Sequence, residues 1–522
     1  IRSDSTLVSR LDTLYYRGLN VIYEGKPNLR PSILRQAVPL YPNYVYNSAQ
    51  VDRTYTDLMA MGYFRSARIA FVEQPQTVDV TNYVSYIGAT ADSTRTDYTQ
   101  EGYLTCNILC TPMLKQSFKI ELEGSTTSSF YGLKATAGYQ NRNIFRGAES
   151  FDVSFTGGYE FMKARDAKKK RATEFGATVG LTFPRFLVPW RTRRYRSVNQ
   201  PKTKVELSIN FQDRPYYRRT LSSAGWTYLW TNSRYSSFSL RPIDINVVDV
   251  SYLNSDFLQG TTNKYLIKSY ESQFIAGLAF SYGFNNQLKH LGRNATVIRF
   301  NVETSGNLID GLEHLFSEPV PGKDYYTIFK LRYAQYFRTD LSLSRKIMMG
   351  EKTALAWRLY GGVALAYGNS KVVPFDRLFY AGGSNSMRGW TPRTLGPGSV
   401  PITRTDEFPT QLGDMKLEAN LEFRFPIWGI VHGATFFDVG NIWYVRTNPS
   451  EYSSEAVFHF DDFYKQLGFN TGLGLRLDIK FAVLRLDWGI QLHNPNKPAG
   501  ERWIHNFRWK NTALNFGVGY PF

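Results

Sequence analysis

Cysteine is almost absent from this chain of 522 residues: Cys106 and Cys110 are the only two. Four positions apart on a strand, they would sit roughly 13 Å from each other, too far to bridge, so no disulfide between them is expected. Their plain role is that of small apolar side chains in a packed face. No run of about 18 to 20 apolar residues occurs, which excludes a transmembrane helix. There is no phosphate loop and no Cys-x-x-Cys pair, and Gly472-Leu473-Gly474 lacks the third glycine and the following helix of a nucleotide site. The histidines are few and scattered, at His290, His314, His432, His459, His493 and His505. A phospholipase at a membrane rim would need a Ser–His pair; His493 beside Asn494 is the nearest candidate, and a loop histidine is the plainer reading. Asn294-Ala295-Thr296 fits a glycosylation acceptor but reads as the start of a strand. No catalytic residue, cofactor or metal is therefore expected, and the chain is not read as an enzyme. Residue 1 is Ile and no charged-then-apolar leader follows, so the chain reads as processed or truncated.

Acidic residues are outnumbered, 44 against 62 Lys and Arg, for a net charge of +18. A basic balance invites a nucleic-acid partner, but no zinc spacing, RNP-like motif or recognition-helix pattern supports one, and none is expected. The basic runs Lys168-Lys169-Lys170-Arg171 and Arg191 to Arg196 fall between strand-like segments and read as solvated loop charges, with lipid phosphate as the other contact open to them. What the chain has in abundance is aromatic residues: 35 Tyr, 36 Phe and 10 Trp, 16% of the total. Its mean hydropathy is nevertheless negative, -0.34. Both fit a barrel that turns half of every strand toward a polar lumen and sets aromatic girdles at two bilayer interfaces.

The first hundred or so residues carry helical signals. Pro31 can open a short helix running to Ala37, Asn47-Ser48 offers an N-cap, and Val51, Tyr55, Leu58 and Met59 recur at helical spacing before Gly62. Ala67, Ile69 and Phe71, then Leu104, Cys106, Ile108 and Cys110, make alternating strand faces, with a polar insertion from Thr77 to Glu101 between them. Residues 1–115 therefore read as a small α+β domain.

From about Ser117 the pattern is strands only. Val205, Leu207, Ile209 and Phe211 alternate with Glu206, Ser208, Asn210 and Gln212. Leu417, Ala419, Leu421, Phe423 and Phe425 alternate with Lys416, Glu418, Asn420, Glu422 and Arg424, and Leu484 to Leu492 alternate in the same way with Arg485, Asp487, Gly489 and Gln491. The segments run to roughly 9 to 11 residues, the length that crosses a bilayer with tilt. Segment counting gives about sixteen antiparallel strands over residues 116–522, weakly patterned from Arg214 to Gln287. The last strand alternates Leu514, Phe516, Val518, Tyr520 and Phe522 with Asn515, Gly517 and Gly519. It is expected to close the barrel against a first strand from Ser117 to Ser125, with Phe522 paired and facing lipid. At that lateral seam Phe118, Ile120 and Leu122 face one way and Lys119, Glu121 and Glu123 the other, while Gly517 and Gly519 offer nothing to pack across it. Short, fraying pairing is expected there.

The segment Phe379-Tyr380-Ala381-Gly382-Gly383-Ser384-Asn385-Ser386-Met387-Arg388-Gly389-Trp390 sets glycine turns around one arginine. With Asp57 to Phe64, Phe423 between Glu422 and Pro426, Phe436 to Gly440, Gly472 to Asp478 and Asn515 to Phe522, it resembles the BamA/TamA superfamily of outer-membrane protein assembly barrels, nearer the TamA- and TamL-like members than BamA itself. The resemblance implies a periplasmic POTRA-like domain over residues 1–115 and a transmembrane barrel over 116–522, located in the bacterial outer membrane. It implies that the loop of Gly382, Gly383, Arg388, Gly389 and Trp390 folds into the lumen, where Arg388 pairs with Glu422 and Asp438. A tryptophan at 390 departs from the family's commoner phenylalanine and keeps the aromatic wedge. Phe516, Tyr520 and Phe522 correspond to the terminal sorting strand. The implied work is insertion or transport of polypeptides by strand addition at the first–last seam. The implied partners are the lipid bilayer, unfolded outer-membrane protein clients, and periplasmic bridging or accessory assembly proteins. A two-partner-type polypeptide secretion pore is the alternative, and a barrel enzyme such as a phospholipase a more distant one.

Overall fold

The computed structural model describes residues 11–74, 102–126, 130–162, 171–188, 199–214, 217–254, 264–287, 294–312, 318–319, 322, 325–401, 411–448, 452–479, 482–504 and 508–522. The polar insertion from Thr77 to Glu101, the basic run Arg191 to Arg196, Lys168 to Lys170, and His290, His314 and His505 lie outside them. Two compact units are present, one of Ile1–Ser117 with Asn141–Ser150, the other of Phe118–Gln140 with Phe151–Phe522.

The first unit opens with a hairpin, β1 (Leu11–Tyr16) and β2 (Leu19–Glu24), which the sequence reading did not contain. Helix α1 (Pro31–Ala37) begins at its proline, and α2 (Ser48–Ala60) is capped by Asn47, whose side chain accepts from the Ala49 N–H at 2.9 Å. Strands β3 (Phe64–Glu73) and β4 (Leu104–Pro112) pair antiparallel, with Ala67 opposite Cys110 and Phe71 opposite Cys106. Ala67, Ile108 and Cys110 pack on a core of Leu29, Ala37, Val38, Leu58, Tyr63 and Phe64. Both cysteines are free thiols, and burial pushes each above its ordinary titration range.

The second unit is built of strands alone in its wall: β5 (Gln116–Thr126), β6 (Phe130–Arg142), β7 (Ser150–Met162), β8 (Arg171–Phe183), β9 (Asn199–Asp213), β10 (Tyr217–Thr231), β11 (Ser236–Leu253), β12 (Gln273–Asn285) and β13 (Ala295–Ser305) come first. Three short pieces follow, β14 (Glu318–Pro319), β15 (Tyr326–Ile328) and β16 (Leu331–Tyr333). The wall resumes with β17 (Tyr336–Met348), β18 (Ala354–Ala366), β19 (Met415–Trp428), β20 (Val431–Trp443), β21 (Gly468–Asp478), β22 (Val483–His493) and β23 (Thr512–Val518). The sheet is a closed barrel in which β23 neighbours β5, and β13 pairs directly with β17, leaving the short pieces in the connection between them. Leaving those pieces aside, the wall has about sixteen strands, as the segment count predicts. The connections differ by end. The connections after β17, β19 and β21, of five, two and four residues, lie at one end, while those after β18, β20 and β22, of 48, 24 and 18 residues, lie at the other.

The faces of the wall are inverted relative to a water-soluble protein. On β19, Glu418, Asn420, Glu422 and Arg424 are buried, whereas Leu421 and Phe423 are exposed. On β5, Phe118, Ile120 and Leu122 are 80%, 80% and 74% exposed, and on β23 Leu514, Phe516 and Val518 are exposed as well. Charge inside and continuous apolar surface outside is the arrangement that lipid, not water, stabilises.

The terminal strand departs from expectation. It ends at Val518, and Gly519 takes a left-handed φ of 82°, which turns the chain out of the sheet. The Tyr520 ring lies 4.3 Å from the Arg424 guanidinium carbon, and the Phe522 ring lies 5.6 Å from that of Arg358. Both arginines belong to the inward face, so Tyr520 and Phe522 turn to the lumen instead of pairing and facing lipid. The physical reason is the glycine turn together with cation–π attraction to two guanidinium groups. Phe516 remains on the strand and faces outward.

The candidate functional site: a buried arginine in the barrel wall

The connection 367–414 returns into the barrel from the long-loop end. Its base is fixed by Phe379 and Gly413, which exchange backbone hydrogen bonds at 2.9 Å in both directions. Above that base the motif closes on itself: the Gly383 N–H donates to the Trp390 carbonyl at 2.8 Å, and the Trp390 N–H donates to the Met387 carbonyl at 3.1 Å. Gly382 and Gly383 have φ of 100° and 97°, a region other residues occupy only with strain. The third glycine works differently. Gly389 keeps an ordinary φ, but a Cβ there would stand 2.6 Å from the Asn470 Cβ, so it is required for close approach.

The loop delivers Arg388 to a site where only 1% of it is exposed. Its Nη2 donates to Asp438 Oδ1 at 2.8 Å and its Nε to Asp438 Oδ2 at 3.0 Å, a two-toothed pair, while Nη1 donates to Glu422. The guanidinium also lies on the Phe436 ring, 3.6 Å from its centroid. The acids come from adjacent strands, Glu422 on β19 and Asp438 on β20, where Glu422 pairs in register with Phe436 and Asn420 with Asp438. Met387 and Trp390, buried on either side, belong to an apolar core with Leu395, Leu412, Ile442 and Tyr444. The residues expected to meet, Arg388, Glu422 and Asp438, are thus together.

The network is wider than the motif. Glu422 also holds Arg424 and Arg476, and Arg476 holds Asp487 at 2.6 Å. Asp438 accepts from Asn420 at 2.9 Å and Asn470 at 2.8 Å. Ser386 donates to Glu418, which pairs with Arg358 and Lys416. On the terminal hairpin, Arg485 donates to the Ser384 carbonyl at 3.0 Å, Gln491 to the Gly389 carbonyl at 2.9 Å and Asn515 to the Arg388 carbonyl at 2.8 Å. None of these partners was singled out from the sequence. The available signal was their place on the polar faces of strands near the motif.

The seam glycines have more particular roles than weakening pairing. A Cβ on Gly517 would stand 2.6 Å from Arg485 Nε, so the gap beside it is filled by that guanidinium. Gly519 makes the inward turn described above. His493 has a structural place: its Nδ1 lies 2.6 Å from the Leu467 carbonyl, with its ring against Trp503.

A closed antiparallel barrel, apolar outside and charged within, whose long loop is seated on the inner wall by a buried arginine, defines a transmembrane barrel with an internal loop. Residues 115–522 match the Omp85 superfamily domain, and the chain belongs to that superfamily. It is 34% identical over 111 residues to the outer membrane protein assembly factor BamA of Neisseria meningitidis serogroup B, a match that spans 20% of this chain and only 13% of that relative. The crystal structure of BamA from Haemophilus ducreyi lacking POTRA domains 1–3 superimposes with a TM-score of 0.59 at 14% identity, covering 97% of this chain and 88% of that one. CdiB from Acinetobacter baumannii gives a TM-score of 0.48 at 12% identity, over 95% and 72% of the two chains.

Proposed function

We propose that this chain works in the bacterial outer membrane as an assembly or translocation factor for other polypeptides, opening laterally between β5 and β23 to offer a strand edge to an unfolded client. No covalent step enters the proposal. The observation that carries it is the brevity of the terminal pairing. β23 is only seven residues long, Thr512–Val518, so its ladder with β5 can be no longer than that, whereas β17 and β18 pair along their whole length from Tyr336 to Met348. A strand held by so few backbone hydrogen bonds is the cheapest place to open the wall, and an opened edge in lipid is stabilised by any strand that pairs with it. Membership of the Omp85 superfamily and the likeness to an assembly factor support the same reading. Unfolded outer-membrane proteins are the proposed clients, with the first unit on the periplasmic side to meet accessory proteins.

The test is a cross-link. In a Cys106→Ser/Cys110→Ser background, cysteines are scanned on the outward face of β5 at Phe118, Ile120 and Leu122 against Leu514 and Phe516 on β23. Oxidation is expected to stop delivery of client barrels to the membrane, and reduction to restore it. A locked barrel that still supports full assembly refutes lateral opening. A lock that spares membrane barrels but blocks one released polypeptide identifies a secretion pore instead.

A further inference from the structure

The loop that carries Arg388 is also held at a place its motif does not include. Ahead of the motif it makes one 3-10 turn, Phe375–Arg377, and both charged residues of that turn are clasped to the inner wall. Arg219 of β10, buried itself, donates through Nη1 to the two Asp376 oxygens at 3.2 and 3.1 Å. Arg377 Nε lies 2.9 Å from Glu303 Oε1 of β13 and donates to the Tyr336 hydroxyl of β17 at 3.2 Å. Tyr336 is fully buried, and its hydroxyl donates in turn to Glu303. The Arg377 carbonyl accepts from Arg338 Nε at 3.0 Å, and the same guanidinium lies on the Phe379 ring, 4.6 Å from its centroid. Gly362 of β18 makes room for that ring: a Cβ there would stand 2.7 Å from it.

The two seats face different parts of the wall. Counted from β5, with the short pieces β14, β15 and β16 left aside, β10 is the sixth strand, and β13 and β17 are the ninth and tenth, opposite the seam. The Arg388 side chain is held by β19 and β20, and the carbonyls of Ser384, Arg388 and Gly389 by β22 and β23, which border the seam. From Asp376 to Arg388 the loop therefore crosses the lumen. Interactions that are far apart and have separate partners contribute nearly independently, so departure of β23 weakens the Arg388 end and leaves the far end as it was. We infer that Asp376 and Arg377 are positioning residues, which make the Phe375–Arg377 turn the fixed end of a tie across the lumen, while the Arg388 end is the one that yields. The barrel then opens at its side without opening through its middle: the loop stays in the lumen and keeps the passage shut to solutes. The inference rests on the reading of lateral opening, and the experiment separates the two.

The full chain is inserted into planar bilayers of phosphatidylethanolamine and phosphatidylglycerol and ion current is recorded, with heat-modifiable gel mobility confirming a folded wall in each variant. Asp376→Ala/Arg377→Ala should raise the open fraction by about tenfold or more, the fold-change for a lost charge-assisted hydrogen bond. Arg388→Ala, which frees the yielding end alone, should raise it far less. Charge exchange tells a clasp from general loosening: Asp376→Arg should open the passage, and Arg219→Asp/Asp376→Arg should close it again. No gain of current in Asp376→Ala/Arg377→Ala, an equal gain in Arg388→Ala, or an exchange that leaves the passage open overturns the fixed end. The current of Asp376→Ala/Arg377→Ala is then recorded with β5 and β23 cross-linked as above. Current that persists in the locked barrel runs through the lumen, as the tie requires; current abolished by the lock runs through the seam and overturns it. A locked barrel that still assembles clients refutes lateral opening and the yielding role of the Arg388 end, while the far clasp stands or falls on its own currents.

Discussion

Replacing Arg388 by alanine tests the site most directly, and the structure says which acid suffers. Glu422 would keep two guanidinium partners, Arg424 and Arg476. Asp438 would not: among the described residues Arg388 is the only cation paired with it, although the Asn420 and Asn470 amides and the backbone N–H of residue 388 still donate to it. Removing one partner of a buried ion pair costs about 3 to 5 kcal/mol, because the remaining charge stays desolvated. The three retained hydrogen bonds place Asp438 near the lower end, about 3 kcal/mol. That corresponds to roughly a hundredfold shift in the ratio of seated to unseated loop. When reclosing is fast, proteolysis of the 367–414 connection should accelerate by a similar factor, roughly a hundredfold. The assay is limited proteolysis of the folded barrel in detergent, with heat-modifiable gel mobility confirming that the wall is intact. A second substitution isolates the cause. In Arg388→Ala/Asp438→Asn the stranded charge is gone, so much of the protection should return. Unchanged proteolysis of Arg388→Ala would refute the reasoning outright, and a double variant as labile as the single one would show that lost packing on Phe436, not charge, sets the cost.

Two further outcomes follow from the geometry. Gly389→Ala should loosen the loop by about 1 to 3 kcal/mol, the usual cost of overpacking, although its φ is ordinary; a loop equally resistant to protease in this variant would deny the close approach to Asn470. Asp414, at the root of the loop and outside the wall strands, is fully enclosed beside Tyr265, Val445 and Arg446, and desolvation pushes its carboxyl up to about 7 despite hydrogen bonds from the Tyr265 hydroxyl and the Val445 N–H. A carboxyl whose titration point is raised on folding takes up a proton, so stability falls as pH rises from about 4 to about 7, by on the order of 4 kcal/mol across the window. The long loops should therefore resist protease better at pH 5 than at pH 8, and Asp414→Asn should flatten that profile; a wild-type profile already flat contradicts it.

The barrel was legible because its signal is repeated in every strand. Alternation along Leu417 to Phe425 or Leu484 to Leu492 names the inward and outward faces without any knowledge of neighbours. It does not say which inward residues meet. Arg476, Asp487 and Asn470 read only as polar positions, and their meeting with Glu422 and Asp438 depends on register between strands, which the alternation leaves free. Arg388 could be paired with Glu422 and Asp438 in advance only through the resemblance of its loop. The end of β23 misled for the opposite reason. Alternation runs on through Tyr520 and Phe522 as if the strand continued, and one left-handed glycine breaks it. The β1–β2 hairpin escaped notice because its strands are six residues each and largely exposed, so no buried face marks them.

The hydrogen bond from Asn515 to the Arg388 carbonyl joins two things otherwise treated as separate, the last strand of the wall and the backbone of the seated loop. Two equilibria that share a contact are thermodynamically linked, and the linkage is reciprocal. Whatever free energy the seated loop contributes to keeping β23 in the sheet is returned when β23 leaves: the loop is then held more weakly by the same amount. Under the proposed lateral opening, a client strand that displaces β23 would act at a distance on the arginine, and a loop variant such as Arg388→Ala would shift the affinity of the wall for clients without touching the place where they bind.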